Sequence, residues 1–456
     1  MPGDAPPRYR VPAFHDAHVH LTQTGLARSR VALGRAASRD ELLARLSAAL
    51  DAPRACRILV GEGADESGWA DAALPTRDDL DRISRDVPVI VRRVCLHKAV
   101  ANSAALALLD CDDPEVDAGS GVLVEGAVFS LDEKLLAPAL EDRIPAILLA
   151  SRLSLSRGVT AADEISSWPS VLAVLRLAEE GRLPMRIRMH VLYPDLERAR
   201  ALGLASRARV GSQGWGVIGG IKLFLDGSLG ARTAALREPY ADDASTRGLL
   251  LMDAPTLAAR IREIESAGFY ALVHVIGDAA LDTALDAFEA ARIAPGNPLG
   301  HRLEHVEIVP DDRTLDRLVR LGLHVVAQPN FVGNWGWPGG LYEQRLGPDR
   351  LARMNRFASL RDAGVPLRFS SDAMPINPLY GIQSAVSHPN TAEQLDALDA
   401  FARYSVRGND SIDLSAPPEL AAIDPSTRVL AAAIDGKIVY TAEDSASDAR
   451  SDAKAT

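Results

Sequence analysis

Cysteine is scarce in this 456-residue chain: Cys56, Cys95 and Cys111 are the whole complement, and no two share a CxxC spacing. That excludes a disulfide framework or a cysteine-held zinc ribbon as the source of stability. Three reduced thiols suit a cytoplasmic enzyme, which is the expected location. Uncharged apolar runs of about 18 residues are missing, so no membrane-spanning helix is expected. The opening segment MPGDAPPRYRVPAF has no signal-peptide apolar core. Basic residues are outnumbered, 50 Lys and Arg against 61 Asp and Glu, for a net charge of −11. With no Lys/Arg block, a nucleic-acid surface is not expected, nor a membrane partner; a small molecule is. What is present is an ordinary globular profile, 47% hydrophobic and 24% charged. The length suits one large domain with an insertion, or two to three smaller domains.

Lysine is scarcer than the basic total suggests. Only Lys98, Lys134, Lys222, Lys437 and Lys454 break a strong preference for arginine, and Lys222 sits inside an apolar run, GGIKLFLDG. Burial lowers a lysine pKa, whereas a guanidinium keeps its proton. A neutral amine can react with carbon dioxide to give a carbamate, which binds metal as a carboxylate does. The alternative is a buried lysine paired with Asp226 or another acid.

Apolar runs alternate with helical stretches along the chain. Strands are expected at 11–20, 158–165, 186–192, 220–227, 271–278, 303–308, 324–330 and 366–372. Between them, segments such as 255–268 and 279–293 carry apolar residues at three- and four-residue spacing. DAPT and DPST read as N-cap or turn signals. Eight strands alternating with helices predict a parallel (β/α)8 barrel of the TIM type. About 130 residues separate the first two strands, far more than one crossover needs. Residues 24–150, with strand-like runs at 57–63 and 87–94, are therefore read as an insertion domain. Leaving the top of the first strand (11–23), it is expected over the barrel mouth. Residues 151–410 complete the barrel. Residues 411–442 hold two short strands with a turn at Asp435–Gly436, and the polar tail 443–456 is expected to be disordered.

Six residues of metal-ligating type lie in or at the ends of these strands: His18, His20, Lys222, His274, His305 and Asp372. Period-2 alternation points His18 and His20 to one face. Imidazoles with a carboxylate suit a divalent transition metal. The C-terminal ends of barrel strands are where such residues converge.

The phrases around these residues resemble the amidohydrolase superfamily, and within it amidohydrolase family 3, which includes the N-substituted formamide deformylases. FHDAHVHL (14–21), GIKLFLDGSLGARTAAL (220–236), HVIGDAALDTALDAFE (274–289), HRLEHVEIV (301–309) and FSSDAMPINPLYGIQSAV (369–386) carry the likeness in order. LPTRDDLDRISRDVPVIVRRVCLHKAVANSAAL (74–106) adds to it, and GVTAADE (158–164) matches loosely. The resemblance implies a hydrolase with two divalent ions, expected to be zinc. His18 and His20 would hold one, His274 and His305 the other. Lys222, as its carbamate, would bridge them, and Asp372 would touch the first ion and act as general base. Metal-activated hydroxide would then cleave a non-peptide carbon–nitrogen bond, expected in a linear N-acyl or N-formyl amide. The rivals are a mononuclear deaminase or cyclic-amide hydrolase, and a metal-free, non-catalytic barrel.

Other polar residues admit two readings. His97 could reach substrate from the insert or be a surface histidine, and Asn102 could cap a helix. Asp226, Asp278 and Arg302 could orient ligands or meet substrate, the first two preferred, or make loop contacts. Trp335 and Trp337 could wall an apolar pocket or pack the insert. Glu304 and Glu307 are as readily solvated. His15, His190, His301, His324 and His388 read as structural or surface. Relatives in this family build a small β-sandwich from both chain ends. Here the N-terminal half is expected to be absent and the C-terminal half reduced to a remnant, with sheet edges that a homodimer could cover.

Overall fold

The computed structural model describes residues 7–28, 30–50, 57–66, 69–70, 73–93, 98–109, 116–124, 127–128, 139–230, 232–406 and 408–443. They form two compact units, one from the residues up to His20 together with those from Ser151 onward, the other from Leu21–Ala150.

Eight parallel strands form the first unit's barrel: Phe14–Val19, Val159–Ser166, Arg186–Leu192, Gly216–Phe224, Ala271–Val275, Arg302–His305, His324–Ala327 and Leu367–Phe369. They pair in chain order from first to eighth. The eighth meets the first through the Asp372 N–H, which donates to the His18 carbonyl at 2.9 Å. Val, Ile or Leu recurs in every strand, as expected where both faces are covered. The helices show the expected period: Asp278–Ala291 buries Ala280, Leu281, Ala284, Leu285 and Phe288 along one stripe. Ala254–Ser266 starts where the DAPT signal placed it, with the Asp253 side chain accepting the Thr256 N–H and proline in the first turn. Register aligns the chemistry: Lys222 lies opposite Leu192 and Leu272, His274 opposite Glu304, and Val275 opposite His305.

The second unit has a six-stranded mixed sheet, including Leu59–Ala64 parallel to Val89–Arg93. Leu42, Leu46, Leu80, Val89 and Val100 pack its core. Asn102 caps the short helix Ser103–Leu106 by accepting the Ala105 N–H. His97 and all three cysteines lie outside the described residues, as does the chain beyond residue 443.

One expectation at the chain ends is corrected. The first barrel strand begins at Phe14, not at residue 11. Tyr9–Pro12 instead pairs antiparallel with Ser411–Leu414, which continues into Val429–Ile434 and Lys437–Thr441. The N-terminus therefore contributes a strand, and the C-terminal strands belong to a four-stranded sheet rather than an unpaired remnant. The switch falls at Ala13, whose N–H goes to Asp410, while the Phe14 N–H goes to Gly158 in the barrel. Nothing in the apolar pattern marks that change of partner. The turn at Asp435–Gly436 closes the last hairpin with both residues left-handed, φ 49° and 80°.

Candidate metal centre

All six ligand-type residues lie toward the C-terminal ends of their strands. His18 and His305 are fully buried and His274 nearly so, while His20 keeps 34% of its side chain exposed. The rings form a contiguous set. Centroids are 5.5 Å apart for His18–His20, 5.0 Å for His18–His305 and 4.4 Å for His274–His305. Asp372 Oδ1 lies 3.0 Å from His20 Nε2 and 3.6 Å from His18 Nε2.

One nitrogen of each ring is engaged by a group that accepts a hydrogen. His18 Nδ1 donates to Glu304 at 2.5 Å, His20 Nδ1 to the Ile165 carbonyl at 2.8 Å, and His305 Nδ1 to Gln328 Oε1 at 2.8 Å. His274 is turned the other way, with Nε2 donating to the Gly227 carbonyl at 2.9 Å. Carbonyls and carboxylates cannot donate, so each pairing selects the tautomer. His18 and His305 so keep a lone pair on Nε2 and His274 keeps one on Nδ1, the arrangement that suits metal ligation, while His20 Nε2 faces the Asp372 carboxylate.

Electrostatics agree. Burial, with the nearby Lys222 charge, holds His18 well below the ordinary imidazole pKa and brings His274 down to about 3. Burial beside the other two imidazoles does the same for His305. At His20 burial works against the charged form, but the Asp372 carboxylate outweighs it and the pKa rises. Burial also opposes the charge on Asp372. The basic groups His18, His20 and Lys222 around it nevertheless hold its carboxyl below the ordinary value.

Lys222 is fully buried, and burial lowers its amine to about 8 despite the carboxylates of Glu304 and Asp372. Its Nζ stands 5.0 Å over the Phe224 ring. Lys222 Nζ is buried with no hydrogen-bond partner among the described residues, and the buried Asp372 Oδ1 faces the Nε2 atoms of His20 and His18. An unpaired buried polar atom is costly, so the Lys222 amine beside a carboxylate and three aimed imidazole lone pairs fits a site built for cations. His18, His305 and Asp372 alone offer three ligand atoms within 4.8 Å of one another. The backbone is left-handed at His305, Val306, Asp372 and Ala373. Such strain in non-glycine residues concentrates at functional sites.

The remaining candidates fall elsewhere. Asp226, expected near substrate, accepts the backbone N–H groups of Ala235, Ile276 and Gly277 at 2.8–3.0 Å, so both oxygens are engaged in pinning loops. Burial still pushes its carboxyl up to about 6. Asp278 likewise holds backbone, accepting from Arg237 N–H at 2.9 Å. Trp335 is half-buried against Phe331 and Tyr342, one ring removed from His305, which stacks on Phe331. Trp337 is exposed. Arg302 is not at a strand top but begins the sixth strand, buried between Asp163, Glu304 and the Ala17 carbonyl. Glu304 and Glu307, for which the sequence left burial and solvation equally open, are both buried. Glu307 accepts from the Tyr342 hydroxyl, and burial pushes it up to about 8.

Glu304 stands behind His18, and two further positioning residues were not singled out from sequence: Gln328 behind His305, and Asp16. The last is buried and accepts from the Ser371 N–H and hydroxyl, tying the eighth strand to the first. Period-2 alternation was the available signal, since Asp16 shares a strand face with His18, and Glu304 with Arg302.

Comparison with known proteins places this geometry. A model described as the amidohydrolase family matches residues 4–416. The YtcJ protein of Bacillus subtilis (strain 168) is 31% identical over 406 residues, covering 84% of this chain and 74% of that one. The N-substituted formamide deformylase of Arthrobacter pascens is 26% identical over 402 residues, covering 79% and 70%. The crystal structure of an uncharacterized metal-dependent hydrolase from Pyrococcus furiosus superposes with a TM-score of 0.73 at 32% identity, covering 87% of this chain and 81% of that one.

Proposed function

The chain belongs to the amidohydrolase family and is a hydrolase; on that premise we propose that it cleaves a linear N-acyl or N-formyl amide, using divalent metal, to an amine and a carboxylic acid. The observation that carries the proposal is the convergence of four histidines, each held through one ring nitrogen by a hydrogen-bond acceptor, around the carboxylate of Asp372. In this reading His18, His20, His274, His305 and Asp372 would hold two zinc ions, and Lys222, as its carbamate, would add a further carboxylate-like ligand. An amine with a pKa of about 8 is neutral in a sizeable fraction at cytoplasmic pH, as carbamate formation requires. Bound metal supplies a Lewis acid and lowers the pKa of water to about 7. Asp372, ionised and next to His18 and His20, takes the proton from the attacking water and returns it to the departing nitrogen. The Arthrobacter pascens relative is named for an N-substituted formamide, which supports a linear amide here.

A mononuclear site is the second reading, favoured by the close trio His18, His305 and Asp372, which needs no lysine. On it a deaminase or cyclic-amide hydrolase would operate. Elemental analysis of protein prepared with zinc and bicarbonate separates the two. Two equivalents of zinc falling to one or none in Lys222→Ala, with amine release from N-formyl and N-acetyl amines, is the expected result. One equivalent indifferent to Lys222, with ammonia release or ring opening instead, overturns the two-zinc amidase.

A further inference from the structure

A cavity of about 770 Å³ opens at the opposite end of the barrel, where the strands begin. Its walls include Arg186 and Arg302, the first residues of their strands, and Arg368, the second of its own. The loop strand Arg209–Val210 brings Arg207 and Arg209 to the same cavity. Three aspartates face these cations, and each is already engaged. Asp410 and Asp435 both pair with Arg186, at 3.0 and 2.6 Å. Asp163 is shared between Arg188 at 3.2 Å and Arg302 at 2.8 Å.

Arg207 and Arg209 are different. Arg207 donates to the carbonyls of Pro298 and Leu299, at 3.1 and 2.9 Å, and Arg209 to that of Gly214 at 2.9 Å. Among the described residues no carboxylate pairs with either. A carbonyl satisfies one N–H but leaves the guanidinium charge uncompensated. In a chain of net charge −11 this is a local reversal of sign. The other arginines of the cavity wall with printed ion pairs, Arg186, Arg188 and Arg302, each meet an aspartate. Arg207 also holds a left-handed backbone, φ 71°, uncommon for a residue with a side chain.

We propose that this basal cavity binds a small polyanion of the phosphate or carboxylate class, gripped by Arg207 and Arg209. The planar guanidinium fork matches an oxyanion with two parallel hydrogen bonds. The volume falls within the roughly 300–1,000 Å³ typical of small-molecule pockets. The site is separate from the metal centre and does not depend on the reaction proposed there.

The test is isothermal titration of the metal-loaded protein with inorganic phosphate and, separately, with succinate, at an ionic strength held constant with sodium chloride. The Arg207→Gln/Arg209→Gln protein is titrated in parallel. Both positions are exposed, so the variant should keep its wild-type melting temperature in chloride, which is measured alongside. Arg302 and Asp163 are left intact because Arg302 contacts Glu304 behind His18. Saturable binding of either anion that weakens at least threefold in the variant is expected, and the anion affected assigns the class. No saturable binding of either, or binding that weakens less, as it would if the anion sat at the metals, overturns the proposal.

Discussion

Replacing Glu304 by glutamine perturbs the centre without removing a ligand. Glu304 is fully buried, with one oxygen 2.5 Å from His18 Nδ1 and the other 2.5 Å from Arg302 Nε. A glutamine has the same shape, but one of its two ends is an NH2 group. Whichever way it turns, either His18 or Arg302 faces a donor instead of an acceptor. If it is His18, the ring loses the partner that keeps its proton on Nδ1, and the lone pair on Nε2 is no longer assured. Losing such a supporting contact costs about 10- to 100-fold in metal affinity, or about 1.4–2.7 kcal/mol at 1.36 kcal/mol per tenfold. Breaking a buried ion pair costs about 3–5 kcal/mol of stability. Arg302 retains Asp163 at 2.8 Å, which puts the expectation at the lower end of that range. Zinc affinity would be measured by competition with a chromophoric chelator, and stability by urea unfolding of the metal-free protein. A Glu304→Gln protein that binds zinc within threefold of wild type, with an unchanged urea midpoint, would refute the assignment of Glu304 to His18 and Arg302.

Two further outcomes follow from the buried groups. In metal-free protein, unfolded His274 takes up a proton near the ordinary value of 6.5, while the folded residue refuses it until about 3. The contribution of His274 to stability should therefore be full above pH 6.5 and decline as pH falls from 6.5 towards 3. Urea midpoints across that range check this, and a His274→Asn variant whose slope matches wild type would count against it. Gly277 stands where a Cβ would meet the Ala235 carbonyl oxygen at 1.9 Å, and its N–H serves Asp226. Gly277→Ala should lower stability by about 1–3 kcal/mol through overpacking. An unchanged melting temperature would show that this loop can move aside.

The cluster of six ligand-type residues was legible because its residue types are unusual for their surroundings. A lysine in an apolar strand, paired histidines on one strand face and an aspartate after the eighth strand announce chemistry before any fold is known. The groups behind those ligands were harder to read. Two are the backbone carbonyls of Ile165 and Gly227, which have no signature in the residue type. Glu304 and Glu307 stayed open between burial and solvation because a charged residue is seldom fully buried without a partner that the sequence does not name. Only closure of the barrel puts Glu304 beside His18, 286 positions away in sequence. The start of the first strand was misread for a similar reason. Tyr9–Pro12 and Phe14–Val19 are one extended run in sequence but pair with different sheets.

The amino-acid order by itself determined the sequence of strands, the barrel they form and the side chains that reach its C-terminal end. Strand periodicity and helix patterning are local properties of the chain, so they survive without tertiary information. Which nitrogen of each histidine faces the centre was decided only by the fold. The acceptor that selects each tautomer comes from another strand or the loop that follows one, and the neighbour it becomes is set by barrel register. The same holds for the charge at the barrel base. Six arginines spread from Arg186 to Arg368 are unremarkable in sequence, and share one cavity only because parallel strands begin at one end and the Arg209–Val210 strand lies against one of them there.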